Sequence, residues 1–247
     1  MTITYRWNTS DFAVGYDAAA ERIHPHYLAI QDVILNRIGS THADQAALAV
    51  DLGGGSGRLM ERLLDRCPAA RAIVVDQSEP FLALAERRLS RFGERATVIK
   101  SRLQEDWPDQ LPQPADFLVS MSAIHHLEPE EKQRLYQRCF DALGNTGEFL
   151  NGDEVRAESD ADYHRELSAW AAHMRRGMAG GEIPPLFHDA LNGWIDRNVA
   201  RFGQPKRSGD DCHETIEVQL NYLRAAAFRS ADCLWHQDMW GVMHASK

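Results

Sequence analysis

The stretch AVDLGGGSGRLMERLL, residues 49–64, sets Asp51 and the glycines Gly53, Gly55 and Gly57 between an apolar run and a helix-like segment. Glycines there let a ligand approach the backbone closely, and free amides at the start of the next helix face it. A dinucleotide fingerprint does not fit. Its third glycine position is Arg58 counted from Gly53, and Met60 counted from Gly55. No G-K-[ST] follows, so a P-loop is not supported either. A second reactive set is His125 and His126 in MSAIHHLEPEEK, where an imidazole can move a proton near neutral pH. DDCHET, residues 210–215, tempts a metal assignment, but its spacing matches no closed zinc site. It reads as the cap of the following helix, and no metal is expected.

Short apolar runs must position these groups. ALAVDL (47–52), RAIVVD (71–76), ATVIKS (96–101), ADFLVSM (115–121) and GEFLNGD (147–153) alternate with helical segments, and SADCLWH and WGVMHAS close the chain. That alternation predicts a doubly wound α/β fold, a mostly parallel seven-stranded sheet with helices on both faces. Ahead of it, SDFAVGYDAAAERIHPHYLAIQDVILNRIG reads as two helices broken near Pro25, with Gly39 as the stop. Residues 1–40 thus form a helical cover. Across 154–212 the strand signal disappears. Tyr163, Leu167, Trp170, Met174 and Met178 recur at helical spacing, and PPLFHDALNGWIDRNVARF supplies a second helix. This predicts a helical lid inserted between strands 5 and 6, within one domain over 1–247.

A net charge of −9 argues against a nucleic-acid backbone as the main partner. The four cysteines form no C-x-x-C pair, which suits a reducing compartment. No run is long and apolar enough to be a membrane span or signal core, so a cytoplasmic protein is expected.

VDLGGGSG resembles the D-x-G-x-G-x-G motif of the class I S-adenosylmethionine-dependent methyltransferases, with Asp51, Gly53, Gly55 and Gly57 on its positions. The resemblance implies S-adenosyl-L-methionine as cofactor. It also implies that Asp76, in IVVDQS, accepts from the two ribose hydroxyls, with Gln77 beside it. Met121 and Tyr16 would contact the cofactor, Tyr16 from the N-terminal cover. Arg102 falls where many relatives place an aspartate beside the adenine amine, and Leu103 beside it would also contact the cofactor. Arginine cannot accept from that amine, so backbone groups, Gln104 or stacking would hold the adenine instead. Arg58 and Arg6 are candidates for the cofactor carboxylate, although surface roles are the simpler reading. His125 stands at the general-base position of plant-type O-methyltransferases; the alternative is a pair of histidines that cap a helix and fill the core. The likeness runs from Asp11 to Lys247, through an LHHL-like segment to the closing helix and hairpin, VQLNYLRAAAFRSADCLWHQDMWGVMHASK.

The family implies in-line methyl transfer, and the acidic charge and helical lid favour a small, partly apolar, secondary-metabolite-type acceptor over RNA or protein. A homodimer is compatible with it; membranes and nucleic acids are not expected partners. Three other readings stay open. Enzymes of the azetidine-2-carboxylate synthase type cyclise the same cofactor and release methylthioadenosine. The LEP segment resembles wobble-uridine tRNA carboxymethyltransferases, which would make the acceptor a tRNA. A non-catalytic scaffold is the third, and the intact glycine loop and Asp76 weigh against it.

Overall fold

Successive side chains of a strand point to opposite faces, and here both faces are buried. The computed structural model describes residues 9–42, 46–204 and 211–247; Arg6 and Asp210 lie outside them. Seven strands form one sheet: β1 (Leu48–Leu52), β2 (Arg71–Asp76), β3 (Ala96–Lys100), β4 (Ala115–Met121), β5 (Leu143–Glu154), β6 (Ser230–Gln237) and β7 (Trp240–Ser246). Their order is β3-β2-β1-β4-β5-β7-β6. From β1 to β5 every pairing is parallel, while β7 is antiparallel to both β5 and β6. The sheet is therefore mixed rather than uniformly parallel. Helical crossovers join β1 to β2, β2 to β3 and β4 to β5, whereas a tight turn with Asp238 at a φ of 51° suffices for the closing hairpin.

Helices cover both faces. Ala49, Val74, Val119 and Leu150 meet α2 (Tyr27–His42), α3 (Arg58–Arg66) and α4 (Glu79–Leu89) on one side. Val50, Val75 and Leu118 meet α5 (Pro129–Ala142) and the helix Ile216–Ala225 on the other. Helix α1 (Ser10–Ile23) precedes α2, and the chain breaks at Pro25 as expected. Gly39 does not stop α2, which continues to His42. An interior glycine costs a helix about 1 kcal/mol, and the burial of Ile30, Ile34, Leu35 and Ile38 offsets it. β5 begins at Leu143 rather than 147, through an irregular pairing with β4 near Ala115.

The inserted segment holds α6 (Asp160–Ala179) and α7 (His188–Ile195), the latter running into a π turn at Asp196–Ala200; the helix Ile216–Ala225 is α8. Tyr163, Leu167, Trp170 and Met174 are buried, as their spacing predicts. The insert rests on the N-terminal helices: the Trp170 indole donates to the Ile23 carbonyl at 2.7 Å, and His173 Nε2 lies 2.7 Å from the Arg22 carbonyl. Among the described residues, no helix is long and apolar enough to cross a membrane.

Gly152 of β5 is where α2 presses closest on the sheet. A Cβ there would lie 2.3 Å from Ile30 Cγ2 and 3.3 Å from Ile34 Cδ1. Overpacking of this kind costs about 1–3 kcal/mol. Gly152→Ala should lower the urea midpoint accordingly, and adding Ile30→Ala should recover part of the loss. Additive losses in the double variant would remove the contact as the cause.

Candidate active site

The glycine loop leaves β1 and enters α3 with three left-handed residues, Gly53, Gly55 and Gly57, at φ of 71°, 52° and 76°. Other residues rarely adopt this conformation. Gly53 N–H donates to the Val75 carbonyl at 2.8 Å, tying the loop to β2. Gly54, which the motif leaves unspecified, is equally constrained: a Cβ there would stand 2.6 Å from the Asp51 carboxyl carbon.

Asp76 ends β2. Its Oδ2 accepts from Gly55 N–H at 3.0 Å and its Oδ1 from Ser78 N–H at 2.8 Å. Asp51 is buried at 2% exposure, and its Oδ1 has no hydrogen-bond partner among the described residues. Burial, and then the nearby charge of Asp76, push the Asp51 carboxyl up to about 8. Arg58 is not simply solvated: its Nε lies 3.1 Å from Asp17 and its Nη1 2.6 Å from Glu21. Arg88 and Ser56 also bind Asp17, so α1 is clamped to the loop.

A cavity of about 660 Å³ opens at the carboxyl ends of β1 to β5, the usual ligand edge of such sheets. Tyr16, Asp51, Gly53, Gly55, Asp76, Gln77, Arg102, Leu103, Met121 and His125 all line it. Gly57 does not. It stands at the start of α3, where a Cβ would lie 3.1 Å from Leu89. Gln104 also lines the cavity, and donates to Glu131 at 3.2 Å.

The far end of the cavity is built on the turn Ile124–His126 after β4. The His125 N–H donates to Asp153 Oδ2 at 2.9 Å, and its ring Nδ1 is 2.6 Å from Asp153 Oδ1 and 2.5 Å from Glu154 Oε2. Burial alone would push this imidazole down; the charges of Glu154 and Asp153 outweigh it and hold the ring well above its ordinary value. Glu154 is held well below the usual carboxylate range by His125 and His24, against its burial. Tyr16 shares a 2.7 Å hydrogen bond with His24 Nε2, whose Nδ1 stands 3.4 Å from Glu154. The tyrosine of the cover is thus linked to the His125 cluster.

His126 Nδ1 lies 3.2 Å from Asp211 Oδ1, and Asp211 Oδ2 accepts from the Trp194 indole at 2.5 Å. Burial, and then the charge on His125, push the His126 ring below its ordinary value. DDCHET is therefore not a helix cap as a whole. Only Thr215, just after the cysteine and histidine, caps α8, accepting from Val218 N–H at 3.3 Å. His213 instead shares a 2.6 Å hydrogen bond with Tyr163. Sequence reasoning missed His24, Asp153, Glu154 and Asp211 as site residues. The available signal was NGDEV, two acids where a buried strand reaches the ligand edge.

Residues 49–147 match the family described as a methyltransferase domain. An uncharacterised methyltransferase of Geobacillus thermodenitrificans is 30% identical over 154 residues, 61% of this chain and 66% of that one. The 3-amino-4-hydroxybenzoate 4-O-methyltransferase of Streptomyces cremeus is 28% identical over 106 residues, 42% of this chain and 28% of its own length. An O-methyltransferase family 2 protein of Planctomyces limnophilus, solved with apigenin, shares the fold at a TM-score of 0.63 and 18% identity, over 100% of this chain and 63% of that one. This chain thus spans less than two-thirds of each. Residues 49–147 thus carry a methyltransferase domain, and the motif and strand order match those of the class I S-adenosylmethionine-dependent methyltransferases.

The residues present fit that cofactor. Asp51 has an unpartnered buried carboxyl oxygen that a cation would draw into its charged form, and the Asp76 oxygens keep lone pairs for a diol. In the ligand-free protein, the ¹³C-carboxyl resonance of Asp51 should titrate near pH 8, with the group neutral below and charged above. Asp76→Asn should lower that midpoint. A midpoint near 4 would show that Asp51 is solvated.

Proposed function

We propose that the chain transfers a methyl group from S-adenosylmethionine to a heteroatom, foremost a hydroxyl oxygen, of a small, flat, partly apolar acceptor. The observation that carries this reading is the single cavity joining the glycine loop and Asp76 to the His125 cluster. When bound, the cofactor supplies a methyl group already activated on a sulfonium sulfur. Asp76 would hold the ribose, Asp51 the amino end, and Gln77, Arg102, Leu103 and Met121 the walls around the nucleoside. Phe12, Trp170, Met174, Phe187, Leu191 and Trp194 give the cavity an aromatic and apolar side, which suits a flat acceptor. Helices α6 and α7 then act as a lid resting on α1 and α2, and the whole chain works as one catalytic domain.

His125 is the catalytic residue of this reading. Its Nδ1 is fixed by Asp153 and Glu154, so the ring is oriented and its other nitrogen can meet the acceptor. A hydroxyl must lose its proton to become a good nucleophile; only the neutral ring can receive it, and because the two carboxylates favour the charged ring, turnover should rise with pH. The acceptor's polarity follows from the same cluster. Buried carboxylates repel a polyanion, so a tRNA is disfavoured, and the net charge of −9 agrees. The hydroxybenzoate acted on by the Streptomyces relative and the apigenin bound by the Planctomyces protein support a hydroxylated aromatic.

Purified protein should be incubated with S-adenosylmethionine, alone and with a panel of hydroxylated aromatic acids, and the nucleoside product identified by mass spectrometry. S-adenosylhomocysteine formed only with an acceptor is expected. Methylthioadenosine from the cofactor alone would overturn methyl transfer in favour of cyclisation. His125→Asn should lower kcat by about 10²–10⁴-fold and leave cofactor affinity within a few-fold. Unchanged turnover would remove His125 from the chemistry.

A further inference from the structure

We propose that His125, His126 and Asp211 form a binding site for one divalent transition-metal ion, of the zinc and cobalt class, facing the acceptor end of the cavity. Binding of the ion stands on geometry alone; its assignment to the acceptor's oxygen rests on the methyl-transfer reading above.

One ligand atom from each of the three residues lies within 4.8 Å of the other two. All three side chains line the cavity, so an ion among them would keep an open face toward a small molecule. His126 Nδ1 and Asp211 Oδ1 are 3.2 Å apart. Two ligands each 2.0–2.1 Å from one zinc ion at a tetrahedral angle stand about 3.3 Å apart. This pair is already spaced as metal ligands, and the third needs a shift on the order of 1 Å to close the set.

The groups behind the three ligands are the stronger argument. Metal-ligating histidines generally use one ring nitrogen and hand the other to a carboxylate, which fixes the ring and raises its basicity. His125 has that support: Nδ1 meets Asp153 and Glu154, both fully buried, leaving Nε2 for the ion. Ligating carboxylates are in turn hydrogen-bonded, and Asp211 Oδ2 takes the Trp194 indole N–H at 2.5 Å while Oδ1 turns to His126. Two imidazoles and one carboxylate with an open position make a donor set for first-row divalent metals rather than for calcium or magnesium. A second group, His125 with Asp153 and Glu154, is also close enough to ligate, but Asp153 does not face the cavity. It therefore serves as support.

An ion there would bind the acceptor hydroxyl as its oxyanion. The hydroxyl proton would pass to solvent, and the oxygen lone pair would remain free to attack. A bound dication lowers the pKa of an oxygen ligand by several units, water falling from 15.7 to about 7 on catalytic zinc. His125 would then act as a ligand and would take the proton itself only in the metal-free protein.

Tag-free, chelator-treated protein should be titrated with Co²⁺, reading visible ligand-field bands, and with Zn²⁺ by calorimetry. One equivalent per chain is expected. Asp211→Asn and His126→Gln should each weaken binding at least 100-fold, and Glu154→Gln by about 10–100-fold. His236→Gln, on the exposed edge strand β6, should change nothing. Thermal melting and S-adenosylmethionine affinity, measured on every variant, report folding and the cofactor site separately. No one-to-one binding, or binding that survives both ligand substitutions in folded protein, would overturn the site. Equal turnover of chelator-treated and Co²⁺-loaded enzyme would overturn the ion's role. Failure of the methyl-transfer reading would register differently, as no consumption of S-adenosylmethionine in either form.

Discussion

Carboxylates buried at the ligand edge of the sheet are the constraint on which the site depends. Asp51, Asp76, Asp153 and Glu154 stand at or near the carboxyl ends of β1, β2 and β5. A carboxylate taken out of water must find hydrogen bonds, a countercharge or a proton. Each does so differently. Asp76 is satisfied by backbone amides, Glu154 by imidazoles, and Asp51 by keeping its proton to about pH 8. The differences divide one cavity into an end formed by the glycine loop with Asp51 and Asp76 and an end that orders a histidine cluster.

The N-terminal helices serve this division rather than merely shielding it. Asp17 of α1 binds Arg58, Arg88 and Ser56 around the glycine loop. One residue before, Tyr16 reaches His24, and His24 reaches Glu154. Neighbouring residues of one helix thus touch both ends of the cavity. The insert is anchored to the same helices through Trp170, so a movement of α1 would be felt by the glycine loop, the insert and His125 together.

Much of the fold was legible because it rests on local pattern. The strands, the break at Pro25 and the glycine motif are written in periodicity and residue type, and the apolar stripe of α6 is where its spacing put it. Gly39 misled because a packed apolar face outweighs one poor helix former. The cluster at the far end was not legible for a different reason. Asp211 and His126 come from distant segments, brought together by a crossover and an insert that pattern alone does not place. Asp211 of DDCHET looked like part of a cap because capping is local chemistry, whereas its partners, Trp194 and His126, are tertiary.

The antiparallel strand explains how so much polarity stays ordered at that end. β7 pairs with β5 so that Trp240 lies opposite Glu154 and Gly241 opposite Asp153. Trp240 is buried, its ring edge-on to His24 at 5.2 Å between centroids and 5.1 Å from Trp170. A parallel neighbour would arrive through a crossover helix, with no such turn beside the acids. The reversed strand instead delivers a bulky, rigid indole directly behind the imidazole that meets Glu154. Val155, the next residue, donates its N–H to the Met239 carbonyl at 2.9 Å, extending the ladder past the acids. Departure from a uniformly parallel sheet is thus part of how the site is held: the hairpin excludes water from Asp153 and Glu154, and exclusion of water strengthens their hold on His125.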